Sequence, residues 1–247
     1  MTSLSGLHIL NTRPAHQSGD LSAALRAAGA TVSELPLIAI TPLALPADAE
    51  RLLLDLDRFN GVFFVSANAA RLALDAVAGF WPQWPYRLPA YAVGQRTAVA
   101  LEDAGLTVIT PEQADSEGLL ALPELAEVSG QRFLLLRGES GRELLADTLR
   151  ARGAQVEIIG LYRRDLPADA CQQWQALTPS TPDVIVLTSP DALRHWQQVA
   201  GPDAIAPHWL VVSPRLQALA ADAGARATVA AGADTASLLQ ALASLPR

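Results

Sequence analysis

Val62–Leu72, VFFVSANAARL, and Val184–Arg194, VIVLTSPDALR, follow one plan: an apolar run, then a serine, then an alanine- and leucine-bearing stretch. An apolar run without alternation is the pattern of a strand covered on both faces, as in parallel sheets. A serine at its end is a good helix N-cap, because its hydroxyl accepts a free first-turn N–H. In the second copy Pro190 follows Ser189, and proline is preorganised for the first helical position. Strand, cap, helix, twice over, is the unit of an α/β sheet.

The same reading extends along the chain. Further strands are expected at His8–Asn11, Thr31–Leu35, Ala90–Val93, Thr107–Ile109, Arg132–Leu136, Val156–Ile159, Trp209–Val212 and Ala227–Val229. Gly29, Gly105, Gly153 and Gly224 each close an Ala/Leu-rich stretch just before a strand, where a left-handed residue ends a helix. Ser116 and Thr235 are expected to cap later helices, and Ser213-Pro214 repeats the Ser-Pro start.

Longer stretches also match. AVGQRTAVALEDAGLTV, from Ala92, parallels VVSPRLQALAADAGARATV, from Val211. FLLLRGESGRELLADTLRARGAQV, from Phe133, finds its counterpart near the start of the chain, in HILNTRPAHQSGDLSAALRAAGATV from His8. A repeat in permuted order implies two similar domains, one inserted in the other. The expected fold is α/β, each domain a parallel sheet covered by helices. The interrupted domain is 1–37 with 168–247, the inserted domain is 44–163, and the crossings at 38–43 and 161–167 form a two-stranded connection. A cleft between two such domains is where a small molecule is expected.

Ligands of open α/β sheets bind beyond the carboxyl ends of strands. The residues there are Thr12-Arg13-Pro14, Ser66-Ala67-Asn68, Gly94 to Thr97, Arg137-Gly138 with the following GESGR turn, Thr188-Ser189-Pro190, and Ser213-Pro214-Arg215. Small residues at helix starts leave backbone N–H groups accessible and bring positive dipole ends to one place. Such an edge binds anions with few charged side chains. Arg13, Arg96, Arg137, Arg142 and Arg215 add guanidinium forks suited to carboxylates.

Composition narrows the chemistry. The 247 residues are half hydrophobic, and 18 basic residues, all arginine, face 25 acidic ones for a net charge of −7. That balance argues against nucleic acid as partner, and the lack of lysine removes Schiff-base and P-loop chemistry. Cys171 is the single cysteine, and the four histidines have no ligand spacing, so no disulfide or metal site is expected. Met1–Leu10 lacks a basic segment followed by an apolar one, and no apolar run is long enough to span a bilayer, so a cytoplasmic protein is expected. There is no GxGxxG, GxSxG or HExxH motif. Tyr162, in GLYRR on the returning crossing, is the most interesting titratable residue. A phenol can donate a proton to a leaving group, while its position alone favours a half-buried strand tyrosine with no chemical role. Trp81, Trp84 and Tyr86 are expected to pack their proline-rich loop, and Trp174, Trp196 and Trp209 to pack core.

Taken in order, LNTRPA (10–15), FVSANA (64–69), AVGQRTA (92–98), SEGLL (116–120), LLLRGESGRELL (134–145), GLYRR (160–164) and LTSPDAL (187–193) resemble the uroporphyrinogen-III synthase family over essentially the whole chain. Ser66 and Asn68 match its Ser-x-Asn pattern, Thr97 its threonine after a Val-Gly turn, and Tyr162 its tyrosine at the crossing. Ser213-Pro214-Arg215-Leu216 departs from a Gly-Pro-Thr-Thr-like turn.

The resemblance implies a cyclising lyase of haem, sirohaem and cobalamin biosynthesis. Its substrate is hydroxymethylbilane, a linear tetrapyrrole with an acetate and a propionate on each ring. Loss of the terminal hydroxyl, attack by the last ring through its substituted carbon, and fragmentation of the spiro intermediate invert that ring. It also implies no cofactor, a monomer, and hydroxymethylbilane synthase, the preceding enzyme, as a partner. Arg13, Ser66, Asn68, Gly94, Thr97, Arg137, Gly138, Ser189, Pro190 and Ser213 then bind the arms, and Tyr162 assists departure of the hydroxyl. Two alternatives share the strand-end features: a non-enzymatic two-domain binding protein for a small polyanion, and a glycosyltransferase.

Overall fold

The computed structural model describes residues 3–177 and 181–245; Met1 and Thr2, the start of the segment read for a leader, lie outside them. Along the chain run β1 (His8–Asn11), α1 (Ala15–Ala27), β2 (Thr31–Glu34), β3 (Ala39–Pro42), α2 (Ala47–Leu54), β4 (Gly61–Phe64), α3 (Ala67–Ala78), β5 (Ala90–Ala92) and α4 (Gln95–Glu102). Then come β6 (Val108–Ile109), α5 (Ser116–Leu120), β7 (Arg132–Gly138), α6 (Leu144–Ala151), β8 (Gln155–Asp165), α7 (Ala170–Leu177), β9 (Val184–Leu187), α8 (Pro190–Ala200), β10 (His208–Val211), α9 (Pro214–Asp222), β11 (Ala227–Val229) and α10 (Thr235–Ala243).

The chain divides into two compact units. One comprises Met1–Ala39 with Arg164–Arg247, the other Ile40–Arg163.

In the first unit the sheet runs β11-β10-β9-β1-β2, and the paired strands are parallel. The chain starts inside the sheet, at β1, and winds to β2 on one side and to β9, β10 and β11 on the other. Alternate residues serve the two faces. Ile9, Val184, Val186 and Leu210 pack with Leu21 and Leu25 of α1 and Leu238 and Leu242 of α10. Leu10, Ile185, Leu187 and Trp209 pack on the other face with Trp174, Trp196 and Leu216. The three tryptophans are core residues as expected, and Trp174 meets Trp196 edge-on at 4.8 Å.

In the second unit the sheet order is β3-β8-β7-β4-β5-β6. Setting β3 aside, β8-β7-β4-β5-β6 is the first unit's order with β7 in the place of β1. The permuted repeat is thus carried by the topology, and the chain here begins at the strand equivalent to β9. Val62 and Phe64 of β4 pack on α2, α3 and α4, whereas Phe63 packs on α5 and α6 with Phe133, Leu135 and Tyr91. The outgoing and returning passes are hydrogen-bonded neighbours, since β3 joins this sheet beside β8, and the Leu43 N–H donates to the Leu161 carbonyl at 2.9 Å. The return pass is no separate ribbon. β8 is one eleven-residue strand, longer than the segment read as a strand because Gly160–Asp165 continue it.

All four helix-ending glycines take positive φ, between 79° and 94°. Trp81 and Trp84 pack their loop through indole N–H bonds to Leu53 O and Leu88 O, at 2.7 and 2.8 Å. Tyr86 does not pack there. It is exposed, with the Arg87 guanidinium 5.0 Å from its ring centre.

Candidate functional site

In the first unit the winding reverses between β1 and β9, and in the second between β7 and β4. The crevice beyond the strand ends at such a reversal is the preferred ligand position in this architecture. At β1/β9 it is bordered by Thr12-Arg13-Pro14 and by Thr188-Ser189. At β7/β4 it is bordered by Arg137-Gly138 and by Val65-Ser66. Register relates the two pairs. Leu10 is opposite Ile185, and Leu134 is opposite Val62, so Ser189 and Ser66 lie equally far beyond β9 and β4.

The helix starts follow from local chemistry. The Ser66, Ser189 and Ser213 hydroxyls accept the third-residue N–H of α3, α8 and α9. Gly94 starts α4 without a side-chain cap. The caps of α5 and α10 differ from expectation. They are Asp115 and Asp234, which accept from the N–H of Gly118 and Ser237, and Ser116 and Thr235 fall on the first helical residue. A carboxylate is the stronger acceptor and complements the helix dipole. The N–H and neighbouring side-chain donors hold both carboxyls below the ordinary aspartate value.

The turn after β1 is fastened by buried polar groups. Asn11 donates through Nδ2 to Ser18 O at 3.1 Å and Ser22 Oγ at 2.9 Å, and its Oδ1 accepts the Arg13 N–H at 3.2 Å. Thr12 Oγ1 donates to Val186 O on β9 at 2.5 Å. Ser18 Oγ donates to Glu34 Oε2 at 2.8 Å. That hydrogen bond, with those of Ser22 and Arg26, holds the Glu34 carboxyl below its ordinary value despite partial burial. A lowered carboxylate stabilises the fold above its unfolded pKa, and the contribution disappears as pH falls through the folded value. Wild type should therefore lose stability faster than Glu34→Gln as pH is lowered from about 5 to 3, measured as urea midpoints.

Tyr162 lies on β8, outside β7. Between Arg137 and Gly138 the register of β7 with β8 slips, so that Arg137 faces Gly160 and Gly138 faces Tyr162. Leu161 is the extra residue of a bulge, a device that re-aims the following side chain. The bulge leaves both Leu161 and Tyr162 buried, the tyrosine only 1% exposed. Its ring passes over Gly138, where a Cβ would meet ring carbons at 3.0 Å. Its hydroxyl reaches Ser66 Oγ at 3.0 Å. Two residues read at strand ends, Ser66 and Gly138, thus meet Tyr162, read on the returning crossing.

The other predicted residues are more dispersed. Arg137, preceding Gly138 and on the opposite face of β7, forms an ion pair with Glu143 at 2.6 Å. Asn68 is on the first turn of α3, with its Oδ1 taken by Arg71 Nη2 at 2.6 Å. With Arg71, Asp75 and Ile40 it lines a cavity of about 270 Å³ in the second unit. Thr97 is 3% exposed and packs into α4's buried side. Arg96 and Arg215 are exposed, as is Pro190. Arg142 pairs with Glu117 at 3.6 Å, so two of the edge arginines are already met by carboxylates of their own unit. The Arg137–Glu143 pair and the Asp115 and Asp234 caps were missed from sequence; for the caps, Asp followed three residues on by a helical residue was the available signal. A larger cavity of the first unit, about 760 Å³, is at the other edge, between the ends of α1 and α10. Among the described residues no group of three His, Cys, Asp or Glu side chains is arranged to hold a metal, and no helix is long and apolar enough to cross a membrane.

Doubly wound parallel sheets with serine- and glycine-started helices at their carboxyl edges define an α/β protein of the class whose ligands lie beyond the strand ends. The comparisons with known proteins make the class specific. A family model described as uroporphyrinogen-III synthase HemD matches residues 19–240. The uroporphyrinogen-III synthase of Escherichia coli K12 is 37% identical over 252 residues, covering 96% of this chain and 100% of that protein. That of Synechococcus elongatus is 32% identical, over 79% of this chain and 75% of the relative. The solved uroporphyrinogen-III synthetase of Helicobacter pylori superposes with a TM-score of 0.64 at 16% identity, over 95% of this chain and 97% of that one. A mutant uroporphyrinogen III synthase from Thermus thermophilus gives 0.62 at 17%, over 95% and 96%. The chain belongs to the uroporphyrinogen-III synthase family, cyclising lyases of tetrapyrrole biosynthesis.

Proposed function

We propose that this chain converts hydroxymethylbilane to uroporphyrinogen III, inverting the last pyrrole ring as it closes the macrocycle. The end-to-end match to the E. coli enzyme carries this reading. The geometry supports it: the substrate is a polycarboxylate, and both carboxyl edges offer amide donors at helix starts.

The chemistry asks little of the protein as acid or base. Electron-rich pyrroles expel the terminal hydroxyl to give an azafulvene. The last ring attacks through its substituted carbon, and the spiro intermediate fragments and recloses. Unassisted closure takes the other carbon and gives the uninverted isomer. The protein's task is to select one curl of the chain and stabilise its cationic character. Amides at the starts of α3, α4, α8 and α9 hold the acetate and propionate arms, supplemented by Arg13 and Arg137. Gly94 keeps the backbone accessible at the start of α4, and Asn68 lies on the first turn of α3. At α8 and α9, where Pro190 and Pro214 carry no N–H, the donors are the N–H groups of Ser189, Asp191, Ser213 and Arg215. Thr97 acts from beneath, by fixing the first turn of α4.

Tyr162 is buried, so its proton reaches the leaving hydroxyl through Ser66. The two hydroxyls share a hydrogen bond at 3.0 Å, and a proton passed from the phenol along it would leave through the serine at the strand end. Because the pyrroles drive most of the departure, Tyr162→Phe should slow turnover by about tenfold, below the usual contribution of a general acid. Folding should change by no more than one hydrogen bond, about 1 kcal/mol. Single-turnover kinetics and a urea titration measure the two; an unchanged rate makes Tyr162 a packing residue.

The protein acts in the cytoplasm as a monomer and takes its unstable substrate from hydroxymethylbilane synthase. The decisive assay incubates it with freshly made hydroxymethylbilane and resolves the product isomers. Type III product forming faster than spontaneous closure supports the reading. Only the uninverted isomer, at the spontaneous rate, would make the chain a polyanion-binding protein.

A further inference from the structure

Arg137 is a fixed guanidinium with an unfinished set of partners. Its side chain is 11% exposed. Nη2 donates to Glu143 Oε1 at 2.6 Å, and Nη1 donates to Arg142 O at 3.3 Å. Nε is buried and has no hydrogen-bond partner. Glu143 is half exposed, so the two partners are unequal: the arginine is held, and the glutamate has open space to leave. The turn between them folds over the guanidinium. A Cβ at Gly141 would lie 3.7 Å from Arg137 Cδ and Nη1, and Arg142 ties the turn to Glu117 of α5.

A carboxylate meets arginine best through two parallel N–H···O bonds. Glu143 makes one such bond and leaves the Nε–H unused. A carboxylate bridging Nε and Nη2 would satisfy both donors. The first unit shows what is particular here. Arg13 and Arg137 lie equally far before the helix-ending glycines Gly29 and Gly153. Counted the same way, Glu143 corresponds to Gly19, inside α1. The permuted copy has therefore replaced helix by a turn that carries a carboxylate onto its arginine.

We infer that Glu143 is a built-in competitor for the substrate carboxylate received by Arg137: it occupies the guanidinium in the free protein and is displaced when an acetate or propionate arm binds Nε and Nη2. This rests on the synthase reading and adds a residue that sets substrate affinity without touching the reacting atoms. It also keeps the guanidinium from taking up small cellular carboxylates, which offer one contact where the bilane offers many.

The test measures KM for hydroxymethylbilane with Glu143→Gln and Glu143→Ala, each alone and with Arg137→Gln. Glu102→Gln is the control, because it removes the same charge from an exposed site of the same unit. Both Glu143 variants should lower KM by about three- to tenfold, and the effect should vanish when Arg137 is glutamine. Urea midpoints confirm that each variant folds, and the alanine variant answers if the glutamine one does not. The inference is overturned if KM is unchanged or rises, if Glu102→Gln lowers it equally, or if the effect persists without Arg137. Should the wild type itself produce no type III isomer above the spontaneous rate, the synthase reading fails first, and this inference with it.

Discussion

Gly138→Val should lower kcat/KM for type III product by about a hundredfold, the scale of misplacing a site by about an ångström. The position is a crossing point. Gly138 ends β7 between β8 and β4, and the Tyr162 ring passes directly over it to reach Ser66. A Cβ there would lie 3.0 Å from Tyr162 Cε2 and Cζ and 3.3 Å from its hydroxyl. Neither ring nor strand can give freely, because the bulge at Leu161 sets the ring's approach and the tyrosine is buried. Valine must push the ring away, and the bond to Ser66 goes with it. The overpacking should cost about 1–3 kcal/mol of stability. In a Tyr162→Ala background the valine finds the space the ring vacated, so the double variant should lose less stability than the two singles together. Additive losses with near-normal kcat/KM would remove Gly138 and Tyr162 from the site.

The largest effect on stability is expected at Phe63. It is fully buried on β4, stacked on Tyr91 with ring centres 4.8 Å apart and tilted against Phe133 at 5.4 Å. Phe63→Ala should cost about 3–5 kcal/mol, the range for truncating a core phenylalanine. Since a domain is stable by only about 5–15 kcal/mol, much of the margin would be spent. Tyr91 provides a second readout. Burial, aided by the negative charge of Glu124, pushes its phenol up to about 12. The unfolded phenol ionises near its ordinary 10, so the stability linked to keeping Tyr91 neutral is intact below pH 10. It is lost as pH rises toward 12. Phe63→Ala opens the stack and should bring Tyr91's absorbance titration down toward 10. A loss below about 1 kcal/mol with an unmoved titration would mean that the core repacks around the gap.

Much of this was written in local signals. Serine before an apolar helix, glycine after it, and unbroken apolar runs name the elements and the edge where the helices start. The permuted repeat needed only comparison of segments, because strand, cap and helix recur at matched spacing. What was hidden is non-local. The Ser66–Tyr162 contact joins residues 96 apart, and no periodicity encodes which strand passes over which glycine. The Leu161 bulge breaks alternation only through its pairing with β7, which a linear pattern does not contain. Arg137 read as a ligand for substrate carboxylates, and the carboxylate it meets in this structure is Glu143 on its own turn. Ser116 and Thr235 were sound cap residues displaced by one position, because an aspartate preceded each.

The central proposal is that carboxylates are held by main-chain amides at the carboxyl edge of each sheet. Amide NMR mapping of the isotopically labelled protein, titrated with uroporphyrinogen III without oxygen, tests it most directly. The expected result is that the largest shifts fall on amides at 66–69, 94–97, 189 and 191–193, and 213 and 215–217, with the Arg137 and Glu143 signals moving as well. Shifts gathered instead on exposed arginines away from these starts, or along α1 and α10 beside the 760 Å³ cavity, would contradict it.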